Sequence, residues 1–278
     1  MTTRFVVVII IAKLQIYDKI EFFCRIEQEP QIKSIEMQLR NNKRILYPGQ
    51  GLILVFDVET TGLLPKTKGE TPTLDQYPYI TQLSYVIYDK ITDTIQKSVN
   101  HYIRIPEQIQ IPEIVTKITG ITKEICETKG ISIIKALMEF YHDLHNCDII
   151  VAHNYAFDYQ IIQAEMKRNY HFLYKQKCKK ALEIFTQEYL ENNRKQYYCT
   201  MQMSISICKL PFKRKITTIN AGVNINPRPY QVKKITYKFP KLSELHQHLF
   251  GFVPENLHDA QVDVETCLRC YKMLTANL

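Results

Sequence analysis

Asp57 and Glu59 stand two residues apart at the end of an apolar run, 52–56, and Thr60, Thr61 and Gly62 follow at once. The run is short, rich in β-formers, and reads as a buried strand. Side chains at i and i+2 of a strand share a face. Two carboxylates are therefore set side by side at the edge of an apolar sheet, where their repulsion costs energy. A hard divalent cation, which prefers oxygen ligands, would offset that cost. The plainer alternative is a strand that runs into a solvated turn. Asp158 is a third acid, in Ala152-His153-Asn154-Tyr155-Ala156-Phe157-Asp158 at the start of a helix, where an acid also complements the helix dipole. A fourth, Asp263, lies between Val262 and Val264, and His258 precedes it by five residues. That spacing is too long for one helix face, so His258 is expected on the lead-in to the helix, free to swing over a site that Asp263 lines.

The elements that must position these residues follow from hydrophobic period. Strands are predicted at 52–59, 80–89, 95–105, 148–152 and 197–200, the second and third as a hairpin. Helices are predicted at 131–144, after Asn154, from Ser243 as N-cap to Gly251, and over about 259–274. Residues 64–78, with three prolines, read as a loop. Antiparallel strands followed by alternating strands and helices predict an α/β domain with a mixed sheet. Ligands in such folds sit at the carboxyl ends of strands, which is where Asp57, Glu59 and the Ala152-His153-Asn154 junction fall.

At 278 residues the chain suits one large domain with an extension. Residues 1–48 are taken as that extension and 49–278 as the main domain, divided at Pro48-Gly49-Gln50-Gly51. The apolar run at 5–12 is too short to span a bilayer, and no small-residue cleavage site follows it, so it is expected to be a strand. The eight cysteines are scattered, and the single C-x-x-C, Cys267 and Cys270, lies in a helical pattern, which suits buried thiols in a reducing compartment. These features predict an intracellular protein, cytoplasmic or nuclear, that is not secreted and has no membrane partner. The eight basic residues of 211–241, with no acid among them, equal the whole net charge of +8. Among them are Lys213, Arg214, Lys215, Lys233 and Lys234, interleaved with Phe212, Tyr230, Tyr237 and Phe239. That mixture suits a polyanion with exposed bases, the alternative being a solvated loop.

The blocks Phe56-Asp57-Val58-Glu59-Thr60-Thr61-Gly62-Leu63, His153-Asn154 with Phe157-Asp158, and His258-Asp259-Ala260 with Asp263 occur in the order of the DnaQ-like DEDDh 3′–5′ exonucleases. Over roughly residues 52–275 the chain resembles that branch of the ribonuclease H-like superfamily. Smaller matches run through Gln82-Leu83-Ser84-Tyr85, Gly120-Ile121-Thr122, Cys199-Thr200-Met201 and Lys241-Leu242-Ser243-Glu244-Leu245. The five-residue spacing of His258 and Asp263 favours the histidine branch over its tyrosine sister group. One departure is Thr119, where many relatives carry a histidine before Gly-Ile.

The resemblance implies a ribonuclease H-like mixed β-sheet flanked by helices, and a metal-dependent enzyme that releases nucleoside 5′-monophosphates from a 3′ end. It implies two divalent cations, Mg²⁺ or Mn²⁺, with Asp57 shared by both, Glu59 and Asp263 completing one site, Asp158 holding the other, and His258 as general base. Thr60, Thr61 and Gly62 would seat the terminal nucleotide, Leu63 with Ile121 would wedge against the last base, and Asn154 and Phe157 would support the metal site. The implied partner is a single-stranded 3′ end, with DNA first because the oligoribonucleases tend to have methionine where Thr60 stands, and RNA as runner-up. Proofreading or repair is the implied setting, with residues 1–48 as a docking element for a DNA polymerase or a replication or repair complex, or as an extra sheet edge. A degenerate fold that only binds ends is the non-enzymatic alternative. It should have lost one of the five residues, and all five are present.

Overall fold

The structure, a computed structural model, describes residues 51–66, 71–212 and 237–276. The apolar run at 5–12, the boundary at 48/49, and Lys213, Arg214, Lys215, Lys233 and Lys234 lie outside the described residues.

Strand β1 (Leu52–Thr60) is the apolar run that carries the first two acids. It is followed by the hairpin of β2 (Ile80–Asp89) and β3 (Thr94–Arg104). Helices α1 (Glu113–Thr119) and α2 (Lys123–Thr128) lead to the short β4 (Ile131–Ser132) and to α3 (Ile133–His145). Strand β5 (Ile149–Ala152) feeds α4 (Tyr155–Arg168), and α5 (Tyr170–Lys175) and α6 (Gln187–Asn192) precede β6 (Gln196–Cys199). The chain closes with α7 (Thr200–Met203), α8 (Ile205–Cys208), α9 (Leu242–Phe250) and α10 (Ala260–Thr275). The sheet runs in the order β4-β3-β2-β1-β5-β6. Strand β1 is antiparallel to β2 and parallel to β5, which in turn is parallel to β6. This is the mixed α/β sheet expected, with a ribonuclease H-like core.

Three local expectations need correction. Residues 131 and 132 do not open the helix; they pair with Ile103 and Arg104 as a parallel strand. Gly130 allows this, because a Cβ there would lie 2.0 Å from the Cys126 carbonyl oxygen and 2.7 Å from the Arg104 nitrogen. Thr200 starts α7 instead of ending β6. Ser243 is not the cap of α9, whose N-cap is Lys241. The Lys241 N–H donates to Glu244 Oε2 at 2.8 Å, so the acid one turn in does the capping.

Alternation along β1 sorts the core into two layers. Leu54, Phe56 and Val58 pack with Leu83, Tyr85, Leu137, Phe140 and Ile161 on one face. Ile53 and Val55 pack with Leu245, Val264, Cys267 and Tyr271 on the other. Asp57 and Glu59 continue the second set and so face α10. The last pair between β1 and β5 is Val55 with Val151. Beyond it β1 runs on alone on that side, which opens a crevice at the carboxyl ends of two parallel strands. Cys267 and Cys270 are buried free thiols, as predicted. No helix among the described residues is long and apolar enough to cross a membrane.

The entry to β5 is held by a buried lysine. Lys195 Nζ donates to the carbonyl oxygens of Leu144, His145 and Cys147 at 3.1, 2.8 and 2.6 Å, which satisfies the end of α3. Lys195→Met keeps most of the volume and strands those carbonyls. It is expected to cost about 1–3 kcal/mol in urea denaturation, and an unchanged midpoint would contradict this role.

Candidate active site

Glu59 and Thr60 straddle a β-bulge in the pairing of β1 with β2, a device that re-aims side chains beside active sites. Past the bulge the chain is pinned at Thr61, whose N–H donates to the Tyr79 carbonyl at 2.9 Å while its Oγ1 accepts the Tyr79 N–H at 3.0 Å. Thr60 Oγ1 donates to the Gly62 carbonyl at 2.6 Å, folding the turn back on itself. Leu63 then projects outward, 62% exposed. A Cβ on Gly62 would meet nothing within 4 Å, and its φ is not left-handed. No steric or backbone demand within the described protein requires a glycine there.

Asp158 comes from the far side of the crevice. Asn154, at φ 63° and ψ 46°, makes the left-handed turn that starts α4, a conformation asparagine tolerates better than most. The Phe157 N–H donates back to the Asn154 carbonyl at 2.8 Å. Asp158 is thereby carried over the unpaired end of β1, where its Oδ1 accepts the Val58 N–H at 3.3 Å. The side chain is 2% exposed. His153, one residue before the turn, is not free to act as a base. Burial pushes its pKa down to about 4. The neutral ring donates from Nε2 to the Pro240 carbonyl at 3.1 Å and accepts the Thr200 hydroxyl at Nδ1 at 2.9 Å.

Helix α10 brings the remaining pair. Asp259 is its N-cap, accepting the Gln261 N–H at 2.9 Å. His258 lies just outside the helix at φ 75°, in the left-handed region that costs a non-glycine residue about 1–3 kcal/mol. Its N–H donates to Asp263 Oδ2 at 3.2 Å, which holds this strained conformation and leaves the imidazole exposed. One ligand atom each from Glu59, His258 and Asp263 lie within 4.8 Å of one another.

The electrostatics are those of a crowded anion cluster. Burial first, then Asp158, Asp263, Glu59 and Asp259, holds the Asp57 carboxyl well above the usual range. Burial likewise raises Asp158 well above that range, against the pull of the Val58 N–H. Glu59 is pushed up to about 8 by burial, Asp263 and Asp259. Asp263 is pushed up to about 6, mainly by burial. No cation is among the leading influences on any of the four. Asp263 Oδ1 and Asn154 Oδ1 are buried with no hydrogen-bond partner. An oxygen-rich cluster with an orphaned carboxylate oxygen and no counter-charge from the described residues fits hard divalent cations.

The structure thus gathers Asp57, Glu59, Asp158, Asp263 and His258 at one end of the sheet, with Thr60, Thr61, Gly62 and Leu63 on the adjoining turn. Ile121 departs from expectation. It is 2% exposed, packed with Ile105 and Cys126, so it supports its loop from beneath and does not reach a base. Thr119 closes that loop, donating from Oγ1 to the Val115 carbonyl at 3.0 Å and accepting the Ile121 N–H at 3.1 Å. Asp259, a fifth acid acting on the cluster, was not singled out from the sequence, where it marks only the approximate start of the last helix.

The repulsion makes a prediction. Each raised carboxyl stays protonated in the folded chain at pH values where the unfolded chain has lost that proton. Metal-free stability should therefore fall as pH rises from the ordinary carboxylate range through about 6 for Asp263 and about 8 for Glu59. In EDTA at pH 8, Asp57→Asn should raise the melting temperature by about 2–4 °C for each kcal/mol of repulsion relieved. Mn²⁺ should stabilise the wild type more than the variant. A variant that melts below the wild type in EDTA would count against the cluster.

The RNase_T family model, an exonuclease family, matches residues 54–226. Among solved structures the fold is similar to E. coli exonuclease I in complex with a dT13 oligonucleotide, with TM-score 0.56 at 16% identity over 81% of this chain and 41% of that one. The zinc-ion-bound form of the E. coli exonuclease I–ssDNA complex gives 0.54 at 17% identity over 82% and 41%. The apo form gives 0.56 at 15% identity over 82% and 42%. The chain thus spans about two fifths of the length of the structures it matches. No curated protein matches it in sequence. The chain belongs to the RNase_T exonuclease family, and its domain is DnaQ-like, of the ribonuclease H-like superfamily.

Proposed function

We propose that this protein is a 3′–5′ exonuclease that hydrolyses phosphodiester bonds at a single-stranded 3′ end, DNA in preference to RNA, and works in proofreading or repair. The observation that carries this reading is the gathering of four desolvated carboxylates and one exposed histidine at the end of β1 in a chain of an exonuclease family. The similar E. coli enzyme bound to dT13 and dA16 supports single-stranded DNA as the substrate class.

In this reading Asp57, Glu59, Asp158 and Asp263 would hold two divalent cations, Mg²⁺ or Mn²⁺, Asp57 contributing to both sites. When bound, the cations acidify the attacking water and neutralise charge on the phosphate and the departing 3′ oxygen. His258 takes the proton of that water as its oxygen bonds to phosphorus. The bond from phosphorus to the 3′ oxygen breaks, and the product is a nucleoside 5′-monophosphate. An exposed position on the helix lead-in lets the imidazole pass its proton to solvent, and such a base contributes about 10²–10⁴-fold in rate. The backbone of Thr60 and Thr61 receives the terminal 3′-hydroxyl, Leu63 stacks on the last base, and Asn154 and Phe157 support the turn that delivers Asp158. Lys213, Arg214, Lys215, Lys233 and Lys234 hold the strand upstream of the end, and residues 1–48 form a separate extension that docks onto a polymerase or repair complex.

A 5′-labelled single strand should yield a ladder shortened from its 3′ end with Mg²⁺ or Mn²⁺, none with EDTA or with Asp57→Ala, and faster loss of DNA than of RNA. Cuts at internal positions, or full activity without Asp57, would refute the mechanism, and faster loss of RNA would reverse the substrate order. Gly62→Ala separates the substrate seat from the fold. Since nothing among the described residues beyond its chain neighbours lies within 4 Å of its added methyl, the melting temperature should hold within about 2 °C. The KM for the strand should rise about tenfold if the terminal nucleotide presses on this backbone. An unchanged KM would remove Gly62 from the seat.

A further inference from the structure

Two rows of cross-strand neighbours run across the sheet beneath the start of α10. Asp57 is opposite Ser84, which is opposite Asn100; Glu59 is opposite Gln82, which is opposite Tyr102. Cross-strand partners point to one face, so each candidate metal ligand on β1 is continued by a polar residue on β2. Gln82 is 0% exposed. Its Oε1 accepts the Ala260 N–H at 3.2 Å, and its Nε2 donates to Asp259 Oδ1 at 3.3 Å and to Asn100 Oδ1 at 2.9 Å. Asn100 Oδ1 also accepts the Ser84 hydroxyl at 2.7 Å, and Asn100 Nδ2 donates to Gln261 Oε1 at 2.9 Å.

The network has a definite polarity. The Ala260 N–H can only donate, so Gln82 must present its oxygen there and its amide hydrogens to Asp259 and Asn100. Asp259 already caps α10 through the Gln261 N–H. Gln82 supplies a second cap, to the N–H of the first helical residue, from strand β2 in the sheet beneath it. The segment it grips, Asp259-Ala260, lies between His258 and Asp263. Asp263 is tied to the same point, since its N–H donates to the Asp259 carbonyl at 2.9 Å.

We propose that Gln82 and Asn100 are positioning residues that lock the first turn of α10 to β2 and so set His258 and Asp263 against Glu59. The inference rests on the nuclease reading above, and it assigns the buried Gln82 amide and the exposed Asn100 amide beside it to the register of the site as well as to the stability of the fold. Side chains that orient metal ligands from one shell out typically cost 10–100-fold in activity when removed.

Gln82→Leu, of similar volume, should lower kcat on a 20-nucleotide single strand by about 10–100-fold and leave KM within about threefold. It should also speed hydrogen exchange of the Ala260 amide in metal-free protein. Gln82→Glu alone puts a carboxylate against Asp259 and should do the same or worse. Combining Gln82→Glu with Asp259→Asn moves the charge across the pair and restores a donor facing an acceptor, and should recover at least tenfold in kcat over Gln82→Glu alone. A Gln82→Leu enzyme with kcat within twofold of wild type would overturn the proposal. So would unaltered exchange at Ala260, or a double variant no better than Gln82→Glu. If Asp57→Asn keeps wild-type activity, the nuclease reading has failed instead, and the metal-free exchange at Ala260 still decides the network.

Discussion

The central constraint on this molecule is a repulsion. Four carboxylates, Asp57, Glu59, Asp158 and Asp263, are held largely out of water at one end of the sheet, where burial raises each of them first and neighbouring acids, Asp259 among them, add to it. Left to relax, such a cluster would turn its side chains to solvent or take up protons. The fold denies both escapes by fixing each acid from a different direction. Strand β1 lies between two neighbours and is buried on both faces, so a one-residue slip would exchange its two apolar sets and drive Asp57 and Glu59 into the layer of Leu137 and Phe140. Asp158 is tied to the Val58 N–H across the crevice, and Asp263 to the His258 N–H. Both turns that deliver ligands carry backbone strain, with Asn154 and His258 in the left-handed region, which Asp93, Lys177, Arg194, Lys209 and Asn256 also adopt. Strain and repulsion at one end of a well-packed sheet are what a site that depends on a bound counter-charge is expected to show.

The parts of this arrangement that follow from local period were legible in the sequence. The parity of Asp57 and Glu59 with Ile53 and Val55 predicts one shared face, and the five-residue gap from His258 to Asp263 predicts a histidine outside the helix. Both needed only the repeat of a strand or a helix. The junction after β5 was legible for the same reason, since a short buried strand followed by helical spacing leaves Asn154 as the turn. What was not legible depends on contacts between distant residues. Gln82 and Asp259 are 177 residues apart, and neither looks unusual in its own segment. Residues 131 and 132 fit a helical pattern and become a strand because β3 offers an edge and Gly130 lets the chain approach it. Ile121 was assigned to the last base by the family resemblance alone, and the structure packs it with Ile105 and Cys126. The remaining expectations concern residues 1–48 and the basic stretch, which lie outside the described residues.

The nucleotide seat and the acid cluster are built by different means, and this bears on what each can vary. The cluster is held by buried bonds between strands and helices. The proposed seat is carried by 60–63, where Thr60 and Thr61 are buried and Leu63 is exposed, and both 60–63 and the loop 119–121 rest on Tyr79. The backbone of Tyr79 is paired with Thr61 in both directions, and its ring packs against the cluster containing Ile121. The Arg168 guanidinium covers that ring at 4.0 Å and also donates to the carbonyl oxygens of Leu74, Tyr77 and Pro78. Arg168 is in turn paired with the buried Glu165 at 2.8 Å, on the same helix that delivers Asp158. Movement of the seat is therefore restrained through Tyr79 and α4, while the identity of its surface residues is set by the loops alone. Thr119 illustrates the separation. In place of the ring that many relatives carry, its hydroxyl spans Val115 and Ile121 within its own loop. It contributes neither charge nor a proton to the seat. The bonds that fix Asp158 and Asp263 do not involve Thr119, so a change at this position acts on its own loop and not on the acid cluster.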